Sequence, residues 1–581
     1  MQRLVRIVIP LVALAANRGE AQDADVIVRN ARIWTGDSTR PYAEAAAVRG
    51  DRFVAVGTTA EIGRHQATHT RIVDAGGRFV APGFIDNHTH FERAGALILG
   101  VNLLDVADEV ALVRRVREAR QRLPRGAWLV GGEWGAYEAW AVSSVGGGRA
   151  AGGGGIDSTR AFRPHRTMID SITPQTPALL SKWDRSVFLA NGRALDLAGA
   201  TCAWDGVECD GGRPTGRLTP AAAERIRRAV PAKSLEQRLA ESRAALAQLT
   251  ELGVTGIHDN TGPEQLRVYE ELRRRGELTV RVYARPTLDK WDELRAAGIR
   301  HGFGDEWIKI GGLKGFVDGI MGNSTARFYE PQLHSGQRGD WRDMMSPAGN
   351  MERLIAGADT SGHWPQIHAI GDEAIDTLLA MYETVIRRRP RPADDRRWRV
   401  IHAQVLRGPH VAERMARLGL IAEVQPYHAI DDMRWMEERI GQRARWAYAF
   451  NTLRRAGVLV TFGSDWPGTN AAWYTANPLH GIYAAVTRQT LAGEPRAGWF
   501  PEERVDVEFA LRAYTVHNAY AAGEERVKGK IAPGYLADLV MLDADPLRVA
   551  PARLKDVKVL LTIVGGRTVY DARAGGAPRT E

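Results

Sequence analysis

Short apolar runs alternate with amphipathic helical stretches through the long middle of this chain, and that rhythm limits its fold more than any other feature. The runs include Gly253 to His258, Val280 to Ala284, Gln366 to His368, Val400 to His402, Ile421 to Val424 and Val458 to Phe462. Strands that are apolar along their whole length are buried on both faces, and strands separated by helices run parallel. The pattern therefore predicts a parallel α/β sheet. The strand count and the length of the segment favour a closed (β/α)8 TIM barrel over an open doubly wound sheet, and no Gly-rich dinucleotide fingerprint follows the early strands.

The two ends have a different texture. From Val26 to Val80 short β-rich runs (Val26-Ile27-Val28, Arg52 to Val56, Arg71-Ile72-Val73) are separated by Gly and Asp turns and read as antiparallel strands. The tail repeats this in Asp538 to Leu542, Val557 to Val564 and Thr568-Val569-Tyr570. The expected organisation is a β-sandwich built from residues 22–82 and 528–581 around a barrel at 83–527, with an insertion at about 100–230 after the first barrel strand. A chain of 581 residues exceeds what one core usually fills, which fits this division. Ser143 to Gly155, rich in Gly and Ser, reads as a mobile insertion, either a surface loop or a lid over the active site.

Composition narrows the classes of function. Hydrophobic residues at 44% and charged residues at 25% suit a globular protein, and no run approaches the ~20 apolar residues of a membrane span. The net charge of +9 comes from arginines scattered along helix-like segments, such as Arg114, Arg115, Arg117 and Arg120, without clustering or aromatic interleaving. Nucleic acid is not an expected partner; a small-molecule substrate is, and homo-oligomerisation is left open. Arg3 and Arg6, the apolar run Ile7 to Ala16 and small residues ending at Ala21 read as a signal peptide spanning 1–21 and predict an exported protein, periplasmic or secreted. Pro10 and Asn17-Arg18 keep the alternative, an ordinary first strand in a cytoplasmic protein, in view. Cys202 and Cys209 are either two free thiols or one local disulfide.

The most informative string is Pro82-Gly-Phe-Ile-Asp-Asn-His-Thr-His90. Residues two apart on a strand face the same side, so His88 and His90 can converge on one cation, and imidazole is a good ligand for zinc and similar metals. A lone His-x-His is weak evidence; this flank makes it strong. His368 ends the run Pro365-Gln366-Ile367, His402 ends Val400-Ile401, and Asp465 follows Val458 to Phe462, so each lies at the carboxyl end of a strand, where barrel enzymes place their chemistry. Singly, His368 or His402 is more often a core histidine. Together that reading is poor. His258, Asp259 and His428 also follow strand-like runs, with structural hydrogen bonding as the alternative to lining the pocket, and Trp466 with the segment Trp473 to His480 are second-rank candidates for the substrate site.

The string resembles amidohydrolase family 3 of the amidohydrolase superfamily, the branch of the YtcJ-like metal-dependent hydrolases and the N-substituted formamide deformylases. The resemblance recurs in order at Lys314-Gly-Phe-Val-Asp-Gly319, His368-Ala-Ile-Gly-Asp372, Gly463-Ser-Asp-Trp-Pro467, Asn477-Pro-Leu-His-Gly481 and Pro533-Gly-Tyr-Leu-Ala-Asp538. It implies metal ligands at His88, His90, Lys314, His368, His402 and Asp465, and one or two divalent cations, expected to be Zn(2+). Asn87 stands where the family usually carries a small residue, and Gly146 to Gly155 has no clear counterpart there.

The chemistry implied is hydrolysis of a small-molecule C–N bond in an amide, formamide or carbamate by metal-activated water, with catalytic Asp465 moving the proton to the leaving nitrogen. Lys314 must then be altered, because an ammonium has no lone pair to give a cation; a carboxylated lysine has two oxygens to offer. Lys309, five positions earlier, would face the opposite side of a regular strand. A lactonase or phosphotriesterase would use the same ligands. A purine-type deaminase would carry a Glu directly after the histidine motif of strand 5, where Ile370-Gly371-Asp372 intervenes before Glu373. A non-catalytic barrel would be expected to have lost ligands, and none is missing.

Overall fold

The computed structural model describes residues 23–574 except 105, 107, 124–125, 136–162, 184 and 470–471. The expected signal peptide and the Ser143 to Gly155 stretch lie outside the described residues.

The middle of the chain is mixed α/β. Its parallel strands are β1 (Phe84–Thr89), β2 (Val254–Asn260), β3 (Arg281–Arg285), β4 in two pieces (Ile308–Ile310 and Leu313–Phe316), β5 (Pro365–Ala369), β6 (Arg399–His402), β7 (Ile421–Val424) and β8 (Leu459–Phe462). One sheet runs β1-β2-β3 to the first piece of β4; a second runs from the second piece of β4 through β5, β6 and β7 to β8. Gly311 and Gly312 explain the division. A Cβ on Gly311 would sit 2.1 Å from the Tyr283 ring, and one on Gly312 would sit 2.3 Å from the Gln366 side chain and 2.5 Å from the Trp364 carbonyl. At the other seam Asp465 N donates to His88 O and His90 N to Trp466 O, both at 2.8 Å, so the residues after β8 lie alongside the end of β1.

Residues from both ends of the chain share one six-stranded sheet, in which Phe79–Pro82 pairs with Leu539–Leu542. A four-stranded sheet packs on it through Val26, Val28, Val48 and Phe53 against Ile33, Val80, Leu539 and Ile563. The expectation of purely antiparallel strands is corrected here. Ala24–Arg29 runs parallel to Gln66–Asp74, and Arg32–Trp34 parallel to Phe79–Pro82. In each case the intervening chain returns to the same end of the sheet, so turn residues alone did not reveal the direction of pairing. A single residue, Gly83, separates the terminal sheet from β1, and a Cβ there would collide with Thr255 at 2.2 Å. Arg281 at the start of β3 reaches back to Asp538 through bonds of 2.7 and 3.0 Å.

After β1, residues 129–218 include a separate five-stranded sheet with its own core, around Leu112, Val116, Leu129, Leu180 and Leu189. Cys202 and Cys209 are joined there in a disulfide with their Cα atoms 6.0 Å apart, which decides between the two alternatives for the cysteines.

Gly312→Ala should lower stability by about 1–3 kcal/mol, the usual range for overpacking a filled interior. Denaturant unfolding measures it, and an unchanged midpoint would show that Gln366 and the Trp364 backbone can make room.

Candidate metal centre

Strand pleating and strand ends bring the expected residues together. His88 and His90 lie at the end of β1, and the side chain of Asn87, just before them, is turned away, donating to Thr461 Oγ1 at 2.8 Å and Asn518 Oδ1 at 3.1 Å. The family departure at Asn87 therefore leaves the pocket untouched. Asp465 Oδ1 lies 3.0 Å from His90 Nε2 and 3.5 Å from His88 Nε2. His402, His428 and Asp465 offer donor atoms within 4.8 Å of one another. The rings of His368 and His402 are 4.6 Å apart, and those of His88 and His402 5.0 Å. His402 and Asp465 both have positive φ, 70° and 59°. Such backbone strain persists where the surroundings over-determine a residue's position. Lys314 is buried in the same wall, and its Nζ has no hydrogen-bond partner. Lys309 lies on the other piece of β4, points away and pairs with Glu524 at 2.8 Å.

Each imidazole has a neighbour that holds it. His88 Nδ1 lies 2.8 Å from Glu423 Oε1, leaving Nε2 toward Asp465. His402 Nδ1 lies 2.7 Å from Gln425 Oε1, and His368 Nε2 lies 2.9 Å from the Gly319 carbonyl. Glu423 is itself gripped by Arg285 at 2.8 Å and Arg399 at 2.7 Å, all three fully buried. A carboxylate on one imidazole nitrogen fixes the tautomer and makes the other nitrogen a better ligand.

The electrostatics favour cation binding. Burial, followed by the charge of Lys314, holds His88 well below its ordinary range, while burial and His368 do the same to His402. These rings are neutral and carry lone pairs at neutral pH. Burial alone would raise the Asp465 carboxyl, but His88, His90 and His402 hold it well below the carboxylate range. Burial and then Arg285 bring Lys314 down to about 7 against the pull of Glu423 and Asp465. Neutral imidazoles, an ionised carboxylate and an orphaned buried amine form a donor set that fits a divalent cation.

These side chains line a cavity of about 310 Å³. Its wall also contains His428, whose ring stacks on Tyr474 at 3.7 Å. Two sequence candidates are corrected. His258 lies below the cavity floor, with Nδ1 2.9 Å from Arg399 Nη1; it is one inward-facing position deeper in β2 than Asn260, which takes the level of the histidines at 3.3 Å from His88 Nε2. Trp466 is packed in the core against Phe91, since its side chain alternates away from that of Asp465, and only its carbonyl serves the site, by accepting from His90 N. Asp259 is structural, accepting from Thr89, Phe91 N and Tyr269. The sequence reading missed Glu423, Asn260, Gln404 and Asp432. A glutamate inside the apolar run Ile421 to Val424 was the available signal for Glu423.

The chain matches the amidohydrolase family over residues 71–570. It is 32% identical to Protein LONG AFTER FAR-RED 3 of Arabidopsis thaliana over 94% of this chain and 92% of that one. It is 27% identical to the N-substituted formamide deformylase of Arthrobacter pascens over 95% and 99%. Among solved structures, an uncharacterized metal-dependent hydrolase from Pyrococcus furiosus aligns with 90% of this chain and 100% of its own, at 25% identity and a TM-score of 0.69.

Glu423→Gln should weaken binding of a divalent cation about 10–100-fold, as loss of such an outer partner usually does. Zinc titrated into metal-free protein measures this by calorimetry. Unchanged affinity would show that His88 is held without Glu423.

Proposed function

Since the chain belongs to the amidohydrolase family, we propose that the cavity hydrolyses a C–N bond other than a peptide bond, in a small-molecule amide, formamide or carbamate. One observation carries this reading: His88, His90, His402 and Asp465 converge beside the orphaned amine of Lys314 at one end of the parallel strands. That is the end where barrel enzymes react their substrates, and the two hydrogen bonds at the β1–β8 seam support one closed barrel. The full-length similarity to a formamide deformylase supports a C–N bond as the target.

His88, His90, Lys314, His368, His402 and Asp465 would hold one or two divalent cations, zinc by donor type. Bound there, the metal supplies Lewis acidity toward a carbonyl oxygen and acidifies a water near neutral pH. Asp465, ionised and facing the cavity, takes a proton at its carboxylate and returns it to the departing nitrogen. His428, whose pKa burial lowers to about 4, is neutral, and its Nε2, 3.8 Å from Asp465 Oδ2 and without a hydrogen-bond partner, is open to a substrate oxygen. Lys314 is proposed to react as a free amine with carbon dioxide, losing a proton and gaining a carbamate with two oxygens to share. Burial favours the neutral amine that this needs.

Asp465→Asn should keep most bound metal and lose nearly all turnover, because an amide cannot shuttle the proton; activity within a few-fold of the parent would refute its role. Lys314→Ala should abolish hydrolysis of a panel of N-formyl amines, with partial return on adding a short-chain carboxylic acid. Undiminished turnover in that variant would remove Lys314 from the centre.

A further inference from the structure

The cavity has a second polar end. Helix α1 (Pro426–Asp432) carries His428 and Asp432, and both line the cavity. Four residues apart on a helix, their side chains leave the same face about 5–6 Å from one another. His428 faces Asp465, so Asp432 lies one helical turn from the proposed reaction centre.

Asp432 is buried and half-satisfied. Its Oδ2 accepts from the Tyr448 hydroxyl and from Gln404 Nε2 at 3.2 Å, whereas Oδ1 has no hydrogen-bond partner. Nearby arginines are engaged: Arg434 pairs with Asp431 at 2.7 Å, and Arg439 donates to the carbonyls of Met321 and Gly322. Burial, with the Asp431 charge, lifts the Asp432 carboxyl to about 7 against the pull of the Tyr448 hydroxyl and the more distant charges of Arg434 and Arg439. Phe316, Ile320, Met321 and Trp435 add apolar surface to the same cavity. A buried acceptor that the protein leaves open, with apolar side chains beside it, suits a ligand that brings its own donor.

We propose that Asp432, steadied by Tyr448 and Gln404, is the subsite for an amine group on the substrate, one helical turn from the bond that is cut. The proposal rests on the hydrolytic reading of the centre and adds what the metal ligands leave undetermined. The substrate is a formamide, amide or carbamate bearing a protonated amine, joined to the reacting carbonyl by an apolar spacer spanning about 5–6 Å. An ammonium is preferred to a hydroxyl because its hydrogen bond to a dehydrated carboxylate is charge-assisted.

The test compares N-(4-aminobutyl)formamide, N-(4-hydroxybutyl)formamide and N-pentylformamide as substrates of the zinc-loaded enzyme. The expected kcat/KM favours the aminobutyl compound over the pentyl compound by about tenfold or more, and Asp432→Asn reduces that ratio to within about threefold. Calorimetry with 5-aminopentanoate and hexanoate, which differ only in carrying an ammonium or a methyl group at the far end, reads the subsite without turnover, and the amino compound should bind the parent about tenfold tighter but lose that advantage in the variant. If no formamide is cleaved, calorimetry alone decides the subsite, and the hydrolytic reading is decided separately on amides and carbamates. If Asp432→Asn does not fold, the parent's own preference among the compounds decides it. Equal handling of amine and methyl compounds by the parent would overturn the proposal. So would a hydroxyl as good as the amine, or a variant that loses activity equally on all three formamides.

Discussion

The site depends on one buried ionic cluster. Glu423 accepts from Arg285 and Arg399 at 2.8 and 2.7 Å and meets His88 Nδ1 at 2.8 Å, with none of the charged groups exposed. Parallel strands buried on both faces are ordinarily packed with branched aliphatic side chains. Here one layer beneath the cavity is made of ions, and burying ions repays their desolvation only when the hydrogen bonding is nearly complete. Arg285 and Arg399 also contact His258, and Arg399 donates to the Ala521 carbonyl at 2.7 Å, so that only the Nε of each is left without a partner. Removing one partner of such a cluster costs about 3–5 kcal/mol, because a charge is left buried and alone. The cluster draws β3, β6 and β7 together and fixes which nitrogen of His88 faces the cavity.

Other constraints work outward from that floor. Asp86 accepts from His88 N at 3.1 Å and from Ser464 N at 2.9 Å, pinning the end of β1 to the turn that carries Asp465. Asp318, which follows β4, accepts from Ile370 N at 3.0 Å and Gly371 N at 2.9 Å, just beyond His368. The histidines and Asp465 are thus supported by carboxylates that grip the backbone around them, and the preorganisation resides in backbone-to-carboxylate bonds rather than in mobile loops.

Much of this was legible in the sequence where the signal is local. His88-x-His90 follows from strand pleating, and His368, His402 and Asp465 from their places at the ends of apolar runs. The Lys309–Lys314 choice was also readable, although Gly311-Gly312 breaks the strand between them and only the motif at 314–319 decided the parity. What depended on long-range packing was not readable. His258 and Asn260 share one face of β2, and only the stagger of the strands places Asn260 level with the histidines. The parallel pairings in the terminal sheets likewise depend on which neighbour a strand meets rather than on its own residues. Asp432 could have been found from its spacing to His428 on one helix, had the helix been recognised as a cavity wall.

The central claim is that these converging side chains hold a metal on which C–N hydrolysis depends. Hydrolysis of N-formyl amines can be followed on one sample as purified, after removal of metal by a chelator and after restoring zinc. The account predicts that turnover disappears with the metal and returns with it in proportion to bound zinc. Unchanged hydrolysis by the metal-free protein, or none by fully loaded protein across formamides, amides and carbamates, would contradict it.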